Sequence, residues 1–263
     1  MNGKTLRVQI AARGVATVTL NRPAKGNPYN ADMLDELAAA LARLGADCAV
    51  RVVLLRGEGK HFCVGADLTV GEASRPEARG DAPARASLVD VCLALERLPK
   101  PSVALVHGAC IGGGVALAAC CDIVLADRSS FFSIPEVRLG FAPAPLVPFF
   151  LRAVGARNLR RLGQTGERFA VEEALRIGLA HAACETGEIE SAVARLVDDL
   201  LLGAPRALAE FKAVVERVNG LPITPRLLSD LQAGFDRARA SDQAGEGRAA
   251  FREKRKPDWY PEY

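Results

Sequence analysis

The sequence predicts an α/β protein with a largely parallel sheet, and three observations predict it. Short aliphatic runs, "VRVVLLRG", "SVALV" and "DIVLAD", recur with helix-spaced stretches between them. That alternation lays strands side by side with helices on their faces. Beyond "GFAPAPLVPFFLRAVG" the patterns turn mainly helical, which appends a helical region to the core. With 263 residues, 49% of them apolar and 25% charged, the chain can build one large domain with such an appendage. We place the core at 1–200 and the helical region at 201–263.

Element by element, the chain opens on a hairpin, Val8–Ala11 and Val15–Leu20, turning near Gly14. "NRPAKGNPYN" is dense in Asn, Pro and Gly and forms a loop. "ADMLDELAAALARLGAD" follows with helical spacing, capped by Asn30. "VRVVLLRGEG" is a buried strand, and "KHFCVGADL" is a short element bent at a glycine. "TVGEASRPEARGDAPARAS" lacks large apolar residues and reads as a mobile surface segment. "SLVDVCLALERLPKP" is an amphipathic helix stopped by Pro99 and Pro101. "SVALVHG" is a strand, "DIVLAD" and "SFFSIPEVRLG" are short strands with turns, and a helix opens at Gly112-Gly113-Gly114. Helical patterns then cover "ARNLRRLG", "AVEEALRIG", "EIESAVARLVDDLLLG", "PRALAEFKAVVERVN" and "TPRLLSDLQAGFDRARAS".

Several function classes are disfavoured at this stage. A net charge of +3 and 5% aromatic residues give no footing for nucleic acid. The 7 cysteines are odd in number and follow no metal-ligand spacing, and histidine is rare, so no metal is expected. Buried free thiols in a reducing cytosol are the simplest reading, with a catalytic cysteine the lesser alternative. The N-terminus carries no signal-peptide pattern, and the longest apolar stretch, Ala109 to Leu125, is broken by glycines and Asp122. A cytoplasmic protein without a membrane partner is the expectation.

The glycine triplet sits where each glycine costs a helix roughly 1 kcal/mol relative to alanine. One reading is an anion site: the first helical turn leaves N–H groups without partners, and bare backbone admits an oxygen. A carbonyl becoming an enolate there would meet an oxyanion hole, worth about 3 to 4 kcal/mol per donor. Gly65-Ala66-Asp67, at a second bend, could supply the other donor. A phosphate cradle is weaker, since neither GxxxxGK[ST] nor GxGxxG is present. Tight helix packing is the bland alternative.

Taken together, "VTLNRPAKGN", "VVLLRGEGKHFCVGADL", "LPKPSVALVHGACIGGGVALAACCDIVLAD", "FSIPEVRLG", "TGERFAVEEALRIGLA" and "AAFREKRKPDW" resemble the enoyl-CoA hydratase/isomerase, or crotonase, superfamily in order and nearly throughout the chain. The resemblance implies a spiral of repeated ββα units and a helical C-terminal region that completes the site and a homo-oligomer, a trimer or dimer of trimers. It implies a coenzyme A thioester as substrate and no separate cofactor. By the motifs, the oxyanion N–H groups fall on Ala66 and Gly113. Coenzyme A contacts fall on Lys25, Ala66, Asp67, Leu68, Phe251 and Lys254, with Lys256 a further candidate.

Hydratases of this family usually carry two glutamates, one just after the triplet and one after a later proline. Here the first position is Ala116 and the second is Pro135-Glu136, so Glu136 is the sole clear acid/base. Apolar neighbours such as Phe132 and Ile134 would raise its pKa, which suits proton transfer. The bland reading of Glu136 is a surface carboxylate at a turn. A loop acid, Glu72, Glu77 or Asp81, could replace the missing carboxyl. "LGFAPAPLVPFF" and the "KRKPxW" ending resemble a subgroup acting on branched glutaconyl-type thioesters such as 3-methylglutaconyl-CoA. His107, Asp67 and Asp122 are expected to hold backbone, and Arg128 and Arg138 to pair with carboxylates. The expected activity is hydration of an α,β-unsaturated, branched-type acyl-CoA by a lyase. A double-bond isomerase, a decarboxylase or hydrolase, and a non-catalytic acyl-CoA binder remain alternatives.

Overall fold

Alternating aliphatic residues on the central strands leave no face of the main sheet polar, so both faces must be covered. The structure, a computed structural model, describes residues 3–69 and 85–262. The expected surface segment falls mostly outside them, as do Glu72, Glu77 and Asp81. The chain runs through β1 (Leu6–Ile10), β2 (Val15–Leu20), α1 (Ala31–Ala46), β3 (Val52–Gly57), α2 (Leu88–Glu96), β4 (Ser102–Val106), β5 (Ala109–Ile111), α3 (Gly113–Ala119), β6 (Ile123–Asp127), β7 (Phe131–Ser133), α4 (Val147–Thr165), β8 (Phe169–Ala170), α5 (Val171–Arg176), β9 (Ala182–Cys184), α6 (Ile189–Leu202), α7 (Pro205–Val218), α8 (Pro225–Arg239) and α9 (Asp242–Glu253).

The larger sheet has the order β1-β2-β3-β4-β6-β9 and is parallel except for the opening hairpin. A smaller sheet, β5-β7-β8, forms a second layer. Strands of the two sheets alternate along the chain, β4 then β5 before α3, β6 then β7 before α4, which is the repeated ββα winding. Period-two alternation divides the core. Val53, Leu55, Ala104 and Val106 join one cluster with α1 to α4, and Val52, Leu54, Val103 and Leu105 meet Val193, Val197 and Leu201 of α6. α1 is capped by Asn30 as expected, its side chain accepting from Met33 N at 3.0 Å.

Four local expectations are corrected. "KHFCVGADL" makes no strand; it contributes two isolated bridges, Cys63 to Cys110 and Tyr29 to Ala66. A strand, β5, fills the three residues before the triplet, because the small sheet continues through them. The strand at "FFS" stops before Pro135, and Glu136–Leu139 form a single 3-10 turn. "ARNLRRLG" is helical as expected, but α4 is kinked at Gly155 (φ +73°, ψ 159°) and has an unexpected first part from Val147, where Pro148 is tolerated in a first helical turn.

Candidate active site

Two segments meet where β5 gives way to α3. Gly65 turns the first with φ +94°. Its carbonyl accepts from Tyr29 N at 2.9 Å, and Asp67 N donates to the Tyr29 carbonyl at 2.9 Å. In a parallel bridge the intervening residue points its own N–H away from the partner strand. Ala66 N–H is thus turned outward and donates to no described residue. On the second segment, Gly112 N donates to Ser133 O at 2.8 Å, tying the triplet to β7. Gly113 opens α3, too early for an acceptor within the helix, and its N–H is likewise unspent among the described residues. Cys63 joins the segments, donating to Ala109 O at 3.2 Å and accepting from Ile111 N at 2.9 Å.

Each glycine of the triplet has its own reason. Gly112 sits at φ +55°, ψ −122°, and a methyl group on it would stand 2.5 Å from Glu136 Oε1. On Gly113 it would stand 2.5 Å from Tyr29 Cε1 and 2.7 Å from the Tyr29 hydroxyl. On Gly114 it would stand 2.5 Å from the Cys63 carbonyl oxygen. Tight packing accounts for Gly114, and the first two glycines make room for polar side chains. A carboxylate beside Gly112 repels a phosphate, which disposes of the phosphate cradle.

Glu136 is 9% exposed, so it is no surface carboxylate. Its Oε2 has no hydrogen-bond partner among the described residues. Burial pushes its pKa above the usual glutamate value. The turn that carries it is anchored on both sides: Ser133 Oγ donates to Gly166 O at 3.1 Å, and Arg138 Nη2 to Thr165 O at 2.9 Å. Phe132 stacks on Phe169 with centroids 5.5 Å apart, fixing β7 beneath.

Glu136 opens on a cavity of about 530 Å³, shared with Tyr29, Gly65, Ala66 and Gly112. Its walls are mostly apolar: Val64, Leu88, Val89, Leu139, Phe141, Pro143 and Leu146. The segment from Phe141 to Leu146 therefore shapes the pocket. Leu68, 69% exposed, stands at the same cavity.

The other expected residues divide. The Asp67 carboxyl is buried against Arg22 and Thr69, and the Thr69 hydroxyl, with Arg22, holds it far below the usual carboxylate range. Asp67 is spent on the fold and offers substrate no free oxygen. Lys25 Nζ lies 3.1 Å from Thr69 Oγ1 on the exposed loop. Phe251, 85% exposed, and Lys254 lie on and just after α9; neither lines the cavity of Glu136, and Phe251 borders a separate surface hollow. Arg128 pairs with Glu172 and Glu185, but Arg138 corrects the expectation by donating to a carbonyl. His107 holds the Gly59 carbonyl at 2.9 Å, and Asp122 accepts from Ser102 and Lys212. Burial pushes the Cys63 thiol up to about 11, so it stays protonated and unreactive at neutral pH.

Sequence reasoning passed over Tyr29. "NPYN" reads as loop only, although a large aromatic directly after Pro28 and just before a helix cap is a signal of an anchored ring. Asn27, fully buried, pins that loop by donating to Glu58 O at 2.9 Å and His61 O at 2.7 Å.

The family description "Enoyl-CoA hydratase/isomerase" matches residues 11–262. A solved enoyl-CoA hydratase/isomerase from Marinobacter aquaeolei superposes with a TM-score of 0.90 at 30% identity, over 98% of this chain and 100% of that one. A peroxisomal Delta(3,5)-Delta(2,4)-dienoyl-CoA isomerase of Arabidopsis thaliana is 33% identical over 251 residues, 90% of either chain. A carnitinyl-CoA dehydratase of Proteus mirabilis is 30% identical over 259 residues, 96% of this chain and 97% of that one. Unspent amides on two segments, a buried carboxyl at the cavity that Ala66 lines and these likenesses along the whole chain agree: the chain belongs to the enoyl-CoA hydratase/isomerase family.

Proposed function

We propose that this enzyme hydrates an α,β-unsaturated acyl-CoA thioester, with Glu136 as acid and base. The observation that carries the proposal is Glu136 Oε2, without a hydrogen-bond partner among the described residues, at an apolar cavity that Ala66 also lines; the N–H groups of Ala66 and Gly113 are unspent among the same residues. The thioester oxygen sits between the two amides and takes up negative charge as water adds to Cβ. Glu136 removes one proton from that water and returns it to Cα, so one carboxyl serves both transfers. Lys25, on the exposed loop, meets the coenzyme A phosphates as a point charge. The acyl group is branched and glutaconyl-type, matched to the bulky prolines and phenylalanine of the Phe141–Leu146 wall. Exposed Phe211, Val215, Ile223 and Phe235 on α7, α8 and their connection favour a homo-oligomer, a trimer or its dimer.

The test is a panel of crotonyl-CoA, 3-methylglutaconyl-CoA and a 3-enoyl-CoA, read by conjugated-thioester absorbance and product mass. A gain of one water is the expected result. Unchanged mass with a moved double bond replaces the reading with isomerisation, which one carboxyl also suits. Loss of carbon dioxide replaces it with decarboxylation, and binding without turnover removes catalysis.

The pH profile offers a second check. Glu136 acts as a carboxylate, and burial raises its pKa, so kcat/KM should fall on the acid side at a pH above the ordinary glutamate value of about 4.3. Tyr29, which also lines the cavity, stays protonated throughout and contributes no limb there. An acid limb at the ordinary value would mean that a solvated carboxyl does the work.

A further inference from the structure

Ala116 leaves the family's first acid position empty, yet the space it vacates holds a polar atom. Side chains of a helix lean toward its N-terminus, so a long side chain at 116 would lie over residue 113, one turn earlier on the same face. The Tyr29 hydroxyl occupies that place, 2.7 Å from where a Gly113 methyl would be. It borders the same cavity as Glu136. It makes no hydrogen bond to any described residue. Its ring lies against Gly113, with Cε1 2.5 Å from where a methyl group there would stand, and its backbone is locked to Gly65 and Asp67 on either side of Ala66. A half-buried phenol fixed at both backbone and ring, with its hydroxyl unpartnered, is placed to serve something that enters the cavity.

Resting on the hydration reading, we propose that Tyr29 is a catalytic residue whose hydroxyl holds the reacting water opposite Glu136, in place of the carboxyl that position 116 lacks. One hydrogen of the water goes to Glu136 as its oxygen bonds to Cβ. The C=C electron pair moves to the thioester oxygen, and Glu136 then protonates Cα. Tyr29 accepts a hydrogen bond from the water's second hydrogen and keeps its own proton throughout. Burial beside Cys63 and Glu136 raises the phenol's pKa, so it orients the water and cannot deprotonate it.

The experiment compares two reactions in Tyr29→Phe, which keeps the ring and deletes the hydroxyl. Hydration of crotonyl-CoA needs the water at Cβ. Exchange of the Cα protons of butyryl-CoA with deuterated solvent needs only Glu136 and the thioester oxygen's donors. The expected result is a fall in hydration kcat of roughly ten- to a hundred-fold, the range for a lost hydrogen bond to a group developing charge. KM should move less than three-fold, and the fall in exchange should be at least ten-fold smaller than the fall in hydration. An equal fall in both reactions overturns the proposal, since it marks a packing role. So does an undiminished kcat for hydration. If the unmodified enzyme exchanges butyryl-CoA but hydrates nothing on the panel, the hydration reading fails and the role of Tyr29 falls with it.

Discussion

Glu136→Gln is expected to lower kcat by about 10²- to 10⁴-fold, the usual contribution of a positioned acid/base, while acyl-CoA binding changes little. The amide keeps the shape of the carboxyl but can neither take a proton from water nor return one to carbon. Steady-state turnover with crotonyl-CoA and calorimetric titration with a saturated analogue measure the two halves. Full activity in the variant removes Glu136 from the mechanism. The same substitution should raise thermal stability. Burial lifts the pKa of Glu136 in the folded chain above its unfolded value, so the folded state binds the proton more tightly. Stability then falls as pH rises between those two values, and the whole penalty stands above the folded one. Glu136→Gln should therefore melt higher than the parent at pH 8, and the gain should vanish as the pH drops below about 4. A melting difference that grows toward acid pH would contradict this.

Gly112→Ala is expected to damage both stability and turnover, by separate routes. At φ +55° and ψ −122° a side chain is strained, costing roughly 1–3 kcal/mol. Its methyl group would also stand 2.5 Å from Glu136 Oε1, so the carboxyl must shift. A displacement near 1 Å can cost about a hundred-fold in rate. Chemical denaturation reads the first effect and kcat the second. In the Glu136→Gln background the kinetic loss should disappear while the stability loss persists, because there is no acting carboxyl left to displace. Additive kinetic losses in the double variant would show that Gly112 acts through something else.

Most of the core was legible because period-two alternation and helix caps are local signals. "VVLL" announces a strand covered on both faces, and Asn30 announces α1. Ala66, Gly113 and Glu136 follow from motif order; Ala66 and Glu136 line one cavity, and Gly113 follows Gly112 at its edge. The losses have physical causes as well. β5 is three residues long and exists only because β7 lies beside it, which no local pattern encodes. Glu136 sits in a 3-10 turn because Pro135 ends the strand, a stop that the alternation in "FFSI" hid. Arg138 faces a carbonyl at the end of α4, a partner 27 positions away. Tyr29 escaped notice because its value lies in an absence at Gly113 and another at Ala116, in a different part of the chain.

The two segments are spaced by main-chain hydrogen bonds at Cys63 and by the bridge at Tyr29. Those spacers are insensitive to what the surrounding residues are. Pocket walls can thus be exchanged during divergence without moving the two segments. Such a scaffold separates the part that must stay constant for any enolate from the part that chooses which enolate forms. Relatives that isomerise or dehydrate on the same frame are the outcome that this separation permits.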